Sequence, residues 1–296
     1  GVYVCAAAAG LKGADMDLLD VFGLRGKNVL VTGAGSGMGK AAARLLTELG
    51  ANVYATVRRK PVDFAVTKQI PCDVGSQAGV DTMLAQTPDE LDAIYICHGI
   101  SNTQGNRNAM QVQLTNFYSF KYITEQLLPR IADNGSVTFI SSDGGKAWRE
   151  NIAACREIIG CKTWESASAW YEAHPDKTAG GYVFAKQCQH VYVMDMCQNE
   201  AFISRKIRIN AIAPGMTKTG LTDDFNASIC GDAEKGQASL EKLFLAPGNG
   251  RWASAEEMGY PMAAVSSHLF SYMSGQILYI DYGTASTWEM DELTKS

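Results

Sequence analysis

The run "VTGAGSGMGKAAARLL", residues 31–46, constrains this chain more than any other stretch. Four glycines, Gly33, Gly35, Gly37 and Gly39, stand where an apolar run gives way to helical spacing, with Ser36 and Met38 between them. A loop without side chains turns tightly, and the free N–H groups at the start of the following helix can approach a pyrophosphate. The other reading is a flexible turn with no ligand. Context separates the two: a buried strand, a glycine loop and a helix, in that order and first in their domain, form a dinucleotide cradle.

Beyond residue 27 the pattern alternates. "KNVLV", "ANVYATV", "KQIPCDV", "LDAIYICHG", "GSVTFISS", "KIRINAIAP" and "GQILYIDYG" read as short buried strands. Between them lie helical stretches: one stopped by Gly50, one over about 107–131, one over 182–203 and one near 255–267. Strands of this kind separated by helices predict an α/β fold, a doubly wound Rossmann-like parallel seven-stranded sheet with helices on both faces. No linker or change of composition divides residues 27–296, which read as one dinucleotide-binding catalytic domain. Residues 1–26 read as an N-terminal extension, an arm or short helix packing on the body or on a neighbouring subunit.

The 296 residues are 46% apolar and 19% charged, with a net charge of −5 and the signs interspersed. That suits a soluble globular protein, and without a basic block it excludes nucleic acid as a partner. No apolar run reaches the length of a membrane span. The eight cysteines include no CxxC pair and no cluster with histidine at zinc-ligand spacing. They read as reduced thiols in a cytoplasmic, reducing compartment, and no metal is expected.

"GGYVFAK" places Tyr182 four residues before Lys186, on one face of a helix. Taken alone, this is either an ordinary aromatic beside a lysine or an acid beside its activator. The wider pattern speaks for the second. Thr32 to Gly39 is similar to the TGxxxGxG motif of the short-chain dehydrogenase/reductase family, and other pieces follow in that family's order. Asp73 and Val74 close the third strand near the expected adenine. Asn116 lies in "VQLTNFYSF", Ser142 in "FISSDGG", and Pro214, Gly215, Thr217 and Thr219 in "NAIAPGMTKTGL". The resemblance spans about residues 27–283. One departure stands after the fourth strand, where Cys97-His98-Gly99 replaces the family's Asn-Ala-Gly; His98 is read as structural.

The resemblance implies hydride transfer between a nicotinamide and an alcohol or ketone. Tyr182 would be the general acid/base and Lys186 its cationic neighbour, lowering the phenol's pKa and bonding the nicotinamide ribose. Ser142 would bond the reacting oxygen, and Asn116 would hold a water linking Lys186 to solvent. Gly99, Pro214, Gly215, Thr217 and Thr219 would lie along the nicotinamide. Cofactor choice turns on the end of the second strand, where Val57 is followed by Arg58 and Arg59 rather than by a carboxylate. Either the arginines pair with a 2′-phosphate, which favours NADP(H), or they are solvated and NAD(H) is used.

Tyr182 follows Ser142 by 40 residues, where the family has about a dozen. The extra segment, about 143–181, reads as two helices beside the substrate mouth and resembles the bacterial 3-alpha-hydroxysteroid dehydrogenase/carbonyl reductase branch. That branch implies a steroid or another bulky apolar ketone or alcohol. Trp148, Trp164, Trp170 and Tyr171 would form either a flat wall for fused rings or the insertion's own core and a dimer contact. A mobile substrate lid is expected over about 216–247, with Met216, Leu221 and Phe225 as lining. The family resemblance implies a homodimer or homotetramer. The rival readings are a reductase of another ketone or quinone, and a non-catalytic nucleotide-binding sensor.

Overall fold

The structure, a computed structural model, describes residues 17–101, 108–219, 222, 233–242 and 250–295. A short helix, α1 (Leu18–Phe22), precedes β1 (Asn28–Thr32), α2 (Gly37–Glu48), β2 (Asn52–Val57), β3 (Lys68–Pro71), α3 (Gln77–Leu84) and β4 (Leu91–Ile96). Then come α4 (Ala109–Gln113), α5 (Ser119–Leu127) and β5 (Ile131–Ile140), followed by α6 (Ile152–Gly160), α7 (Trp164–Ala173), α8 (Pro175–Ala179) and α9 (Gly181–Met196). The last two strands are β6 (Arg208–Pro214) and β7 (Ile277–Ile280), with a helix Glu256–Ser266 between them and another, Thr284–Lys295, at the end.

All seven strands run parallel in the order β3-β2-β1-β4-β5-β6-β7. Successive side chains face opposite sides, so each strand feeds two cores. Leu30, Ile94 and Ile96 join Phe117, Phe120 and Tyr192 on one face. Val29, Val31, Val53 and Tyr95 join Leu46 and Met262 on the other. This two-sided burial is why the strands read as apolar runs rather than as alternation. The strand order reverses between β1 and β4, which opens a crevice beyond their carboxyl ends. Gly33 leaves β1 there with φ +68°, and a Cβ on it would lie 2.8 Å from the His98 backbone leaving β4.

Two long helices read from the sequence are broken. Over 107–131, a π turn, Leu114–Tyr118, separates α4 from α5, and a 3-10 turn, Leu128–Arg130, ends the run. Over 182–203, α9 stops at Met196, because Asn199 caps a separate helix, Glu200–Ile203, by accepting the Ala201 N–H at 3.0 Å.

The insertion begins with a 3-10 segment, Asp143–Asn151, and continues through α6, α7 and α8. Thr163 and Ser166 form a reciprocal cap on α7, and Pro175 opens α8. Of the two readings of the insertion's aromatic residues, their contacts fit the one that makes them its own core. Trp164 packs edge-on against Tyr118 and Tyr122, at 5.5 and 5.7 Å between ring centroids. Trp170 stacks on His174 at 4.1 Å and on Phe184 at 6.1 Å, Tyr171 is buried, and Trp148 lies beneath the Arg149 guanidinium. The helical phase of the insertion turns these rings toward α5 and α9, where they form its own core.

Arg208 joins the start of β6 to the end of the helix Glu256–Ser266. Its guanidinium donates to the carbonyls of Val265, Ser266 and Phe270 at 2.8, 2.9 and 3.1 Å, and the side chain is buried. Arg208→Leu removes a charged donor set and leaves buried acceptors unpaired. It should cost about 3 kcal/mol, read as a lower urea midpoint with an unchanged m-value.

Candidate active site

Helix α9 is buried along most of its length, from Gly181 and Phe184 through Val193. It packs between the sheet and the insertion, which places Tyr182 and Lys186 on its face toward the crevice. The Lys186 ammonium lies 5.2 Å from the centre of the Tyr182 ring and 5.5 Å from that of Phe120. It donates to the Ile140 carbonyl at 3.0 Å and to Gln189 Oε1 at 3.3 Å. Burial pulls its pKa down to about 7. Burial also drives the Tyr182 phenol above its ordinary value; a hydrogen bond with Ser142 opposes this and the Asp143 charge adds to it. Desolvation is the largest of these effects on the phenol, and it favours the neutral form of the lysine as well.

Ser142 caps the 3-10 segment that follows β5. Its hydroxyl accepts the Gly144 N–H at 3.1 Å and donates to Asp143 Oδ1 at 2.9 Å. Sequence reasoning missed Asp143. Burial raises its pKa, with the Ser142 bond opposing and the Asp281 charge adding. A carboxylate directly after the serine, in an otherwise apolar and small-residue run, was the available signal.

Asn116 lies within the π turn. Its side chain is tied to the Ile100 backbone in both directions, at 2.8 and 2.9 Å. Its main-chain carbonyl, exposed by the π turn, accepts the Gln189 amide at 2.5 Å. The Gln189 side chain thus bridges Lys186 and the Asn116 carbonyl.

His98 is structural, as read. Thr32 Oγ1 lies 2.8 Å from Nδ1 and accepts the Cys97 N–H, so the hydroxyl donates to the ring. Ser119 Oγ lies 2.7 Å from Nε2 and donates to the Thr115 carbonyl, so the ring donates to it. Both nitrogens are satisfied in a neutral tautomer. Burial, reinforced by Lys186, holds the ring's pKa down to about 3. His190, on the same helix as the lysine, is held down to about 4 for the same two reasons. Its ring packs so closely that a Cβ on Gly145 would lie 2.5 Å from it.

Two adjoining cavities meet here and share Met38, Cys97, His98, Gly99, Ile100 and Thr219. The first, about 330 Å³, is bounded by the four glycines with Ser36, by Arg58, Arg59 and Lys60, and by Asp73 and Val74. Ser36 makes no side-chain cap on α2, so the helix's first donors are left for a ligand. The backbone packing requires glycine: a Cβ on Gly39 would lie 2.5 Å from the Gly33 carbonyl. Arg58 lies 3.8 Å from Asp73. This cradle fits the pyrophosphate and adenosine half of a nicotinamide dinucleotide. The second cavity, about 300 Å³, holds Ser142, Asp143, Tyr182 and Lys186, with Pro214, Gly215, Met216 and Thr217 along one side. Leu240 and Trp252 close it, and neither was singled out from the sequence. Leu221 and Phe225 lie outside the described residues.

The pattern of the family described as short chain dehydrogenase matches residues 27–154, and that described as Enoyl-(Acyl carrier protein) reductase matches 196–285. The chain is similar to a coniferyl-alcohol dehydrogenase of a Pseudomonas species, 28% identical over 90% of this chain and 99% of that one. It is also similar to a 3-oxoacyl-[acyl-carrier-protein] reductase of Rickettsia prowazekii, 25% identical over 88% and 97%. Its fold matches that of a Pseudomonas 3-alpha-hydroxysteroid dehydrogenase complexed with NADH, with a TM-score of 0.71 over 90% and 98% of the two chains at 20% identity. The chain belongs to the short-chain dehydrogenase/reductase family. It is an NAD(P)-dependent oxidoreductase acting on a small molecule. When bound, the dinucleotide supplies the hydride donor or acceptor. Among the described residues no helix is long and apolar enough to cross a membrane, and no group of side chains could hold a metal.

The depressed pKa of Lys186 makes a stability prediction. Folding holds the group near 7 against 10.5 for the free side chain, so the folded state is penalised below pH 7 and relieved as pH rises toward 10. Wild type should therefore gain a few kcal/mol on Lys186→Met between pH 7 and 10, measured by urea unfolding across that range.

Proposed function

We propose that the chain oxidises an alcohol, or reduces the matching carbonyl, on a bulky apolar ring-bearing molecule, with Tyr182 as general acid/base. The observation that carries this reading is the apolar cavity of about 300 Å³ at whose floor Tyr182, Ser142 and Lys186 meet. Val183, Met216, Leu240 and Trp252 give it an apolar wall. Lys186 binds the nicotinamide ribose, and Ser142 stabilises charge on the reacting oxygen. Of the segment around 216–247 expected as a lid, Met216, Thr217, Thr219, Thr222 and Leu240 line this cavity, and residues 220–221, 223–232 and 243–249 lie outside the described residues.

Within that class, an aryl alcohol with a single substituted ring is favoured. The cavity is at the small end for ligand sites and the nicotinamide takes a share of it. The similarity to a coniferyl-alcohol dehydrogenase over nearly that whole chain supports the same class. A hydroxysteroid is the second reading. It rests on the long insertion between Ser142 and Tyr182, but the tryptophans offered for fused rings pack elsewhere. NADP(H) is the favoured coenzyme, supported by Arg58, Arg59 and Lys60 around the ribose end of the cradle. Leu269, Phe270 and Tyr272, exposed on one segment, support a homodimer or homotetramer. The six described cysteines, all free thiols, fit a cytoplasmic setting.

A panel of aryl alcohols, aldehydes and steroid alcohols, each with NAD⁺ and NADP⁺ or their reduced forms, tests the reading. Turnover of the aryl members with NADP(H) is expected; turnover of steroids alone would reverse the order. Tyr182→Phe should lower turnover by about 10³-fold while leaving the coenzyme Kd within twofold, by fluorescence titration. Arg58→Ala should weaken NADPH by about tenfold or more and NADH little.

A further inference from the structure

We propose that Gln189 is a positioning residue for the reaction. By anchoring one N–H of the Lys186 ammonium it turns a remaining N–H toward the coenzyme and Tyr182, and it registers that ammonium against the π turn. The inference rests on the reading of Lys186 as the group that binds the nicotinamide ribose and holds positive charge near the phenol.

The first observation is the pair of bonds that Gln189 makes. Its Oε1 accepts from the Lys186 ammonium at 3.3 Å, and its Nε2 donates to the Asn116 main-chain carbonyl at 2.5 Å. An ammonium only donates and a carbonyl only accepts, so both partners dictate the same orientation of the amide. Gln189 and Asn116 are fully buried, and Lys186 is nearly so. An amide left unpaired at either end would be costly there, which holds the side chain in place. Gln189 follows Lys186 by three residues on α9, so the two share a helix face.

The second is the count of donors at the lysine. An ammonium carries three N–H groups. Among the described residues two of them have acceptors, the Ile140 carbonyl at the end of β5, at 3.0 Å, and Gln189 Oε1. With two donors anchored, the direction of the third is settled. Lys186 lines the cavity that holds Tyr182, and its ammonium lies 5.2 Å from the centre of that ring. A ribose hydroxyl entering this cavity would take the third N–H.

The other end of the amide reaches the coenzyme wall. Asn116, whose carbonyl Gln189 holds, grips the Ile100 backbone in both directions, and Ile100 lines both cavities. The charge on Lys186 is then what Gln189 sustains. Facing the ammonium are Tyr182 and His190 from α9, His98 after β4 and Asp143 after β5. The two histidines are neutral. Burial favours the neutral amine, and the Gln189 acceptor opposes that.

The test has two arms. The first needs neither substrate nor coenzyme. Lys186 is followed by carbon-13 NMR of protein labelled at lysine Cε, its signal identified by its loss in Lys186→Met. Gln189→Met keeps the volume and removes the acceptor, and it should lower the titration midpoint by about one pH unit. Gln189→Glu sets a carboxylate against the ammonium and should raise the midpoint by about one unit or more. A midpoint that either variant leaves at its wild-type value overturns the proposal. Should Gln189→Met fail to fold, Gln189→Glu decides alone.

In the second arm, oxidation of an aryl alcohol is compared across pH. The loss of kcat in Gln189→Met should grow as pH rises, by up to about tenfold, because the variant's lysine gives up its proton first. Gln189→Glu should not show that growth. A loss in Gln189→Met that is flat across pH marks a merely structural role and overturns the proposal. Should wild type turn over no alcohol at all, the reading of function fails, and the first arm still decides whether Gln189 holds the lysine's charge.

Discussion

The site depends on one cation held where water is scarce. Lys186 is buried on a helix enclosed on nearly every side, with ring faces on two sides and carbonyls at its tip. Keeping an ammonium there is costly, and the same burial depresses its pKa. The surroundings are arranged accordingly. Two histidines nearby, His98 and His190, are held neutral, so no second cation competes. The insertion, by covering α9 with α6, keeps solvent from the far side and fixes the rotation of the helix that aims Tyr182.

The parts legible in the sequence are those set by short-range geometry. The glycine loop could be read because Gly33 and Gly39 must clear backbone at under 3 Å, a demand no other residue type meets. The pairing of Tyr182 with Lys186 could be read because a helix fixes it at one turn's spacing. The seven strands could be read because burial on both faces makes each a continuous apolar run. The structural reading of His98 rested only on its place on a loop, since its partners Thr32 and Ser119 are far away in sequence.

The parts not legible depend on the meeting of segments remote in sequence. Gln189 reads as one more polar residue in a helix until α9 is laid against the π turn. Asp143 reads as a loop acid until the serine before it turns its hydroxyl that way. The tryptophans of the insertion left two readings open because a segment outside the family's common pattern has no known helical phase. Which face it turns inward is settled by Tyr118, Tyr122 and Phe184, none of which belongs to it.

The turn at Leu114–Tyr118 carries a further implication. A wide turn holds one residue more than the regular helix, and it lets α4 and α5 follow different rotational settings along one run of chain. Through it, Gln113 reaches the Lys177 carbonyl on one flank while Phe120 faces the ammonium on the other. Removing a single residue there would close the turn to a regular helix and draw the Asn116 oxygen into its hydrogen-bond ladder, away from its amide. Chain length at that spot, rather than residue identity, is therefore the quantity the site cannot afford to change.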